Sequence, residues 1–328
     1  MKPTCAAGIL STCSLAWLCL NTAAVAADPQ STATKTLREG KTAQAARASV
    51  AKTFETPQQA ANALIKAADQ FNIGTFQELF GAHSDVVLSG EYSYDRQRAR
   101  EFAALAREKN SVSIDPKNGG RAFVLVGNDN WPFPVPIVKR GQTWAFDAAA
   151  GRQELLYRRI GANERDAIAI SHGYVEAQHE YAFKKRDGYD VNQYAQRIVA
   201  TPGKQDGLAW QNPDGTWDGP IGEKIARAIE QGYTNGAEPY HGYFFKILKG
   251  QGPAAPLGQL DFIVKGAMIG GFALVAAPAE YGITGVQTFM VSHDGVVYQK
   301  DLGPATLDAF TKMDRFNPDP SWIAVFEE

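Results

Sequence analysis

The chain has 328 residues, 45% of them hydrophobic and 11% aromatic, which excludes a disordered polymer and suits a protein with packed cores. Lys and Arg total 33 against 35 Asp and Glu, a net charge of −2, so no basic surplus points to nucleic acid. The three cysteines, Cys5, Cys13 and Cys19, all precede Asn21, so the rest of the chain has no disulfide, thiolate metal site or Cys nucleophile.

In chain order, Lys2 supplies one positive charge, an apolar run follows from Cys5 to Leu20, and small residues surround Ala24 to Ala27. This pattern predicts a cleavable secretory signal over residues 1–27. The run is too short for a permanent anchor, which needs ~20 apolar residues. Leu10-Ser11-Thr12-Cys13 comes nearest to a lipidation signal, but Thr12 stands where a smaller residue is expected. Residues 28–54, rich in Ala, Thr, Ser, Lys and Gln, read as a disordered spacer. At Thr56-Pro57-Gln58-Gln59 a capping Thr, a Pro at the first helical position and a Gln three residues after the cap predict a helix start.

Helical spacing continues through Phe71, a short helix is expected over Thr75 to Phe80, a strand at Val86 to Leu88, and a charged helix over Asp95 to Lys109. Strands are expected at Arg121–Val126, Val135–Lys139 and Thr143–Phe146. Between the first two, Trp131-Pro132-Phe133-Pro134-Val135-Pro136 must be an extended edge segment, because three prolines remove three donors. From Gly151 to about Phe183 the period is helical, with Ile170, Tyr174, Ala177 and Tyr181 as its apolar stripe. Short helices follow at Tyr194–Ile198 and Gly222–Gln231, then strands at Gly242–Leu248, Leu260–Val264 and Gly271–Ala277. A hairpin across His293-Asp294-Gly295 joins Val286–Val291 to Val296–Gln299.

This order predicts an α+β protein of two domains. The first, residues 55–150, is a helix-plus-curved-antiparallel-sheet cone. The second, residues 151–328, is a long helix packed on an antiparallel sheet. No phosphate loop, dinucleotide fingerprint or Gly-x-Ser-x-Gly elbow is present, so no cofactor and no catalytic residue is assigned. His172, Glu176 and His179 share one helix face and could begin a metal site, although a solvated polar face is the plainer reading. Two aromatic-rich stretches are candidate binding surfaces: Tyr240, His241 and Tyr243 in the first, Glu280 and Tyr281 in the second, a glycine-punctuated loop. Trp131 and Phe133 join them as candidates.

Long blocks of the sequence are distinctive. They include Trp131-Pro132-Phe133-Pro134, Arg158-Arg159-Ile160-Gly161-Ala162-Asn163-Glu164, Thr201-Pro202-Gly203-Lys204-Gln205-Asp206-Gly207-Leu208 and Pro239-Tyr240-His241-Gly242-Tyr243-Phe244-Phe245. Met268 to Leu274, Pro278 to Gly282 and Asp294 to Gly303 are of the same kind. With these the chain resembles the bacterial exported-protein family catalogued as domain of unknown function 2950, which implies an envelope address and no defined activity. The first half is similar in element order to ketosteroid-isomerase-like cones. The second is similar to pilins and pseudopilins, through Ala177-Gln178-His179-Glu180-Tyr181, Gly242-Tyr243-Phe244-Phe245 and Gly282-Ile283-Thr284-Gly285. It lacks the pilin transmembrane helix.

The expectation is therefore a periplasmic or secreted module that binds or scaffolds an envelope protein or small ligand without catalysis. It predicts no nucleic-acid partner and no permanent membrane anchor. The alternative is a small-ligand-binding protein or a hydrolase- or isomerase-type enzyme using the cone interior, with His83, Asp85 and Tyr92 as the acid/base candidates.

Overall fold

The computed structural model describes residues 50–186, 188, 190–221 and 239–326. The leader, most of the spacer and the helix expected at 222–231 lie outside the described residues. The chain divides into two compact units, Met1–Tyr157 and Arg158–Glu328, and the α+β expectation holds in both.

In the first unit, helix α1 (Pro57–Gln70) starts as its cap predicts: Gln59 N–H donates to Thr56 Oγ1 at 3.2 Å, with Pro57 in the first turn. Helix α2 (Ile73–Phe80) follows, capped by Asn72, which accepts from Thr75 N–H. The strand expected at Val86–Leu88 is instead the end of a 3-10 turn over Gly81–Val86. Val87 and Leu88 N–H groups both bond back to the Ser84 carbonyl at 3.0 Å, closing a helical turn that periodicity over three apolar residues cannot distinguish from a strand. Helix α3 (Tyr92–Glu108) then leads into strand β1 (Asn110–Ile114).

Strands β2 (Arg121–Val126), β3 (Trp131–Pro132), β4 (Ile137–Arg140) and β5 (Thr143–Phe146) complete an antiparallel sheet in the order β1-β2-β4-β5, with β3 paired to β2 beside β4. β2 alternates half-buried and buried residues, placing Ala122, Val124 and Val126 against the helices. Phe54 exchanges two backbone bonds with Trp144, both 2.7 Å, so the chain is tied to the sheet before α1 begins. The core gathers Ala60, Leu64, Leu79, Phe80, Ala103, Ile137 and Phe146.

Helix α4 (Ala148–Ala182) opens within the first unit and continues into the second. There the sheet order is β18 (Ile323–Ala324), β16 (Val297–Asp301), β15 (Gln287–Ser292), β14 (Ala273–Pro278) and β9 (Tyr243–Leu248), antiparallel throughout. All six residues of β14, the central neighbour of β9 and β15, are buried. The predicted hairpin is present, closed by Gly295 N–H to the Ser292 carbonyl, 2.9 Å. Small sheets flank this one: β6 (Arg197–Val199) with β7 (Gly207–Gln211) and β8 (Trp217–Asp218), β10 (Gly250–Gln251) with β11 (Leu260–Asp261) and β17 (Arg315–Phe316), and β12 (Ile263–Val264) with β13 (Ala267–Met268). Helix α5 (Thr306–Lys312) lies between β16 and β17 in the chain.

The helix expected at Tyr194–Ile198 is not formed. Tyr194 N–H bonds the Met268 carbonyl at 2.8 Å, and β6 pairs in parallel with β7. Between them Ala195 is claimed by Gln178, which is fully buried on α4. Its Oε1 accepts from Ala195 N–H (2.7 Å), and its Nε2 donates to the Ala195 carbonyl (2.8 Å) and Tyr174 Oη (2.9 Å). This side chain takes up the backbone hydrogen bonds that a helix there would have formed internally. Replacing Gln178 by Ala leaves both Ala195 groups buried and unpaired. We expect a loss of about 2–3 kcal/mol in denaturant unfolding, and a loss below 0.5 kcal/mol would show the pairing is not structural.

Candidate binding sites in the two units

Trp131 and Phe133 meet in a cavity of about 40 Å³ inside the first unit. Its walls come from three helical segments and one edge. Leu64 and Ala68 face it from α1 and Phe76 from α2; Ala99, Phe102 and Leu105 come from α3. The proline-punctuated stretch delivers Trp131 and Phe133 from the short strand β3, which pairs with β2 at Trp131 and Pro132 and is extended by Phe133 N–H to the Val124 carbonyl at 2.8 Å. Phe133 packs against Phe102 at 5.2 Å and Phe146 at 6.3 Å between ring centroids.

Two charged residues border the cavity, and both are engaged. Asp95 accepts from Ser89 N–H, Ser89 Oγ and Gly90 N–H (2.9, 2.7 and 3.1 Å), which fixes the entry to α3. Arg98 lies 3.9 Å from Glu101 and over the Tyr94 ring. The proposed acid/base residues are elsewhere. Arg152 bonds Asp85 at 2.5 Å and His83 at 3.2 Å in an exposed cluster. Tyr92 is 60% exposed, edge-on to Phe71. None of the three lines the cavity, because the segment carrying His83 and Asp85 forms a 3-10 turn rather than an inward-facing strand.

In the second unit the candidates around Tyr240 come together on the first turns of that unit's helix. His241 (φ 48°) and Gly242 (φ 75°) form a two-residue hairpin turn closed by reciprocal bonds between Tyr240 and Tyr243, both 3.0 Å. A Cβ on Gly242 would lie 2.5 Å from Asn163 Nδ2, so the turn needs glycine for space as well as for its backbone angle. His241 Nδ1 sits 2.7 Å from Asp166 Oδ2, both half-exposed, and the Tyr240 ring packs edge-on to it at 4.4 Å.

The loop carrying Glu280 and Tyr281 is held by the same helix: Asn163 Nδ2 donates to the Thr284 carbonyl (2.8 Å), and Glu164 Oε1 accepts from Val286 and Gln287 N–H (2.9 and 3.0 Å). Glu280 contributes through its backbone, bonded to Thr284, and the Tyr281 hydroxyl leaves the cluster for Asp301 at 3.1 Å. These contacts are those of a locked corner, with an oriented imidazole at its surface.

The His172, Glu176 and His179 face does not assemble a metal site; among the described residues no group of three or more His, Cys, Asp or Glu could hold an ion. The His179 ring turns edge-on to Phe272 at 5.5 Å. Phe102 and Leu105 belong to the apolar stripe of α3, which helical spacing marks in the sequence, but nothing in that spacing distinguishes a cavity wall from ordinary core.

Tyr243 is buried and donates to the Gln287 carbonyl at 2.9 Å. Burial first, and the Glu164 charge second, push its phenol well above the usual tyrosine range. The unfolded phenol ionises near pH 10, before the folded one does. The contribution is therefore intact below that pH and is lost as pH rises towards the folded value. Tyr243→Phe should flatten the fall in stability above about pH 10, measured by denaturant unfolding across pH; an unchanged slope would contradict this.

The family profile described as protein of unknown function (DUF2950) matches residues 51–325. No curated protein and no solved structure matches the chain significantly. The match spans both described units, including the cavity lining and the locked corner, and the chain belongs to the DUF2950 family of proteins of unknown function.

Proposed function

We propose that this protein is an exported, non-catalytic binding module of the cell envelope whose first unit receives the tip of an apolar group. The observation that supports this most is the cavity wall: Leu64, Phe76, Phe102, Leu105, Trp131 and Phe133, with the nearby Asp95 and Arg98 already engaged. Such a surface favours alkyl or aryl groups. Its volume of about 40 Å³ is well below the ~150 Å³ of an apolar cavity that takes up benzene. The end of an alkyl chain fits; a whole ring does not. The export reading is supported by the leader pattern of residues 1–27, and no described helix is long and apolar enough to cross a membrane. The likeness of the first unit to ketosteroid-isomerase cones, and of the second to pilins, belongs to the same proposal.

Decanoate titrated into the protein should change tryptophan fluorescence saturably, through Trp131. Ala99→Leu should block the uptake while the protein stays folded by circular dichroism. Equal decanoate affinity in Ala99→Leu would overturn the cavity reading, and so would the absence of saturable binding to the wild type. Export is tested separately: intact mass of the native protein should show residues 1–27 removed, and a cytosolic product retaining Met1 would refute it.

A further inference from the structure

The second unit carries a cleft of about 600 Å³, unrelated to the apolar cavity and in the size range of ligand sites. Its lining is hydrophilic: Gln193, Tyr194, Gln196, Arg197, Lys204 and Asp206. Gln196 is fixed by its bond to the Gly266 carbonyl at 2.7 Å, and Tyr194 by its backbone bond to Met268.

Two features specify what would fill it. The first is charge. Asp206 accepts from Thr201 N–H and Oγ1 (2.7 and 2.8 Å) and faces Arg197 at 3.7 Å, so its charge is engaged within the wall. Lys204 forms no ion pair among the described residues, so the described lining residues Arg197, Lys204 and Asp206 together carry one surplus positive charge. The second is an unmet hydrogen bond. Gln193 is 5% exposed, and its Oε1 is buried with no hydrogen-bond partner. A buried acceptor left unpaired is destabilising and calls for a donor. Gln193 is itself part of the cleft lining, so a ligand held there is a candidate source of that donor.

A fully ionised anion such as sulfate or succinate satisfies Lys204 but has no donor for Gln193. A neutral polyol donates but does not use the charge. From this pair of requirements we propose that the cleft binds an acidic saccharide, with its carboxylate at Lys204 and Arg197 and a hydroxyl donating to Gln193.

The probes separate the two requirements. Titration calorimetry on the full chain should show saturable binding of D-glucuronate, with D-glucose and succinate each at least about tenfold weaker, the equivalent of one charge-assisted hydrogen bond. Lys204→Met should erase the preference for glucuronate over glucose. Gln193→Met should weaken glucuronate binding while leaving the melting temperature unchanged or raised, since it removes an unpaired acceptor; a purely structural glutamine would lower it. Succinate binding as tightly as glucuronate would identify a simple anion site and overturn the proposal. The absence of glucuronate binding, or affinity unaffected by Lys204→Met, would do the same.

Discussion

Buried peptide groups must be hydrogen-bonded, and in the second unit one helix meets that demand for segments that make few bonds of their own. Glu164 takes two successive N–H groups of the strand entry at Val286–Gln287, Asn163 takes the Thr284 carbonyl, and Gln178 takes both polar groups of Ala195. These are side chains of α4 serving as backbone partners for two loops more than a dozen residues away in the chain. The strands between the loops can then be regular, and β14 can be buried along its whole length.

This arrangement explains how Tyr243 and His241 are used in the second unit. Tyr243 is consumed by packing and by its bond to Gln287, Gly285 leaves room for the Tyr243 ring, and His241 is held by Asp166 at the surface of a tight turn. A Cβ on Gly285 would stand 2.2 Å from the Tyr243 hydroxyl, so glycine there is a packing requirement. The distinctive residues of this stretch are explained by architecture before any ligand is invoked.

The concave spaces lie elsewhere and differ in kind. The first unit presents an apolar recess built from helix stripes and a proline-rich edge; the second presents a hydrophilic cleft between the segment after α4 and the β12–β13 turn. Neither contains a nucleophile paired to an oriented base among the described residues.

The sequence by itself determined the local matters. Thr56-Pro57 and Gln59 start a helix because cap and proline act within one turn; the Asp294-Gly295 hairpin closes through its own glycine; the three prolines limit the ladder at Trp131–Pro136 to the two-residue strand β3. Trp131 and Phe133 were legible as binding candidates as aromatics of an extended, proline-rich edge segment. Only the tertiary structure decided that Tyr194–Ile198 would not be a helix, because bonds to Met268 and Gln178 outweighed local preference, whereas at Val86–Leu88 the bonds back to Ser84 are local and three apolar residues carry no period that reveals them. It also decided where His83 and Asp85 face, and that Gln193 is left with a buried, unsatisfied oxygen. Periodicity reports which side of an element is apolar, but hydrogen-bond partners far apart in the chain are chosen only when packing brings them together.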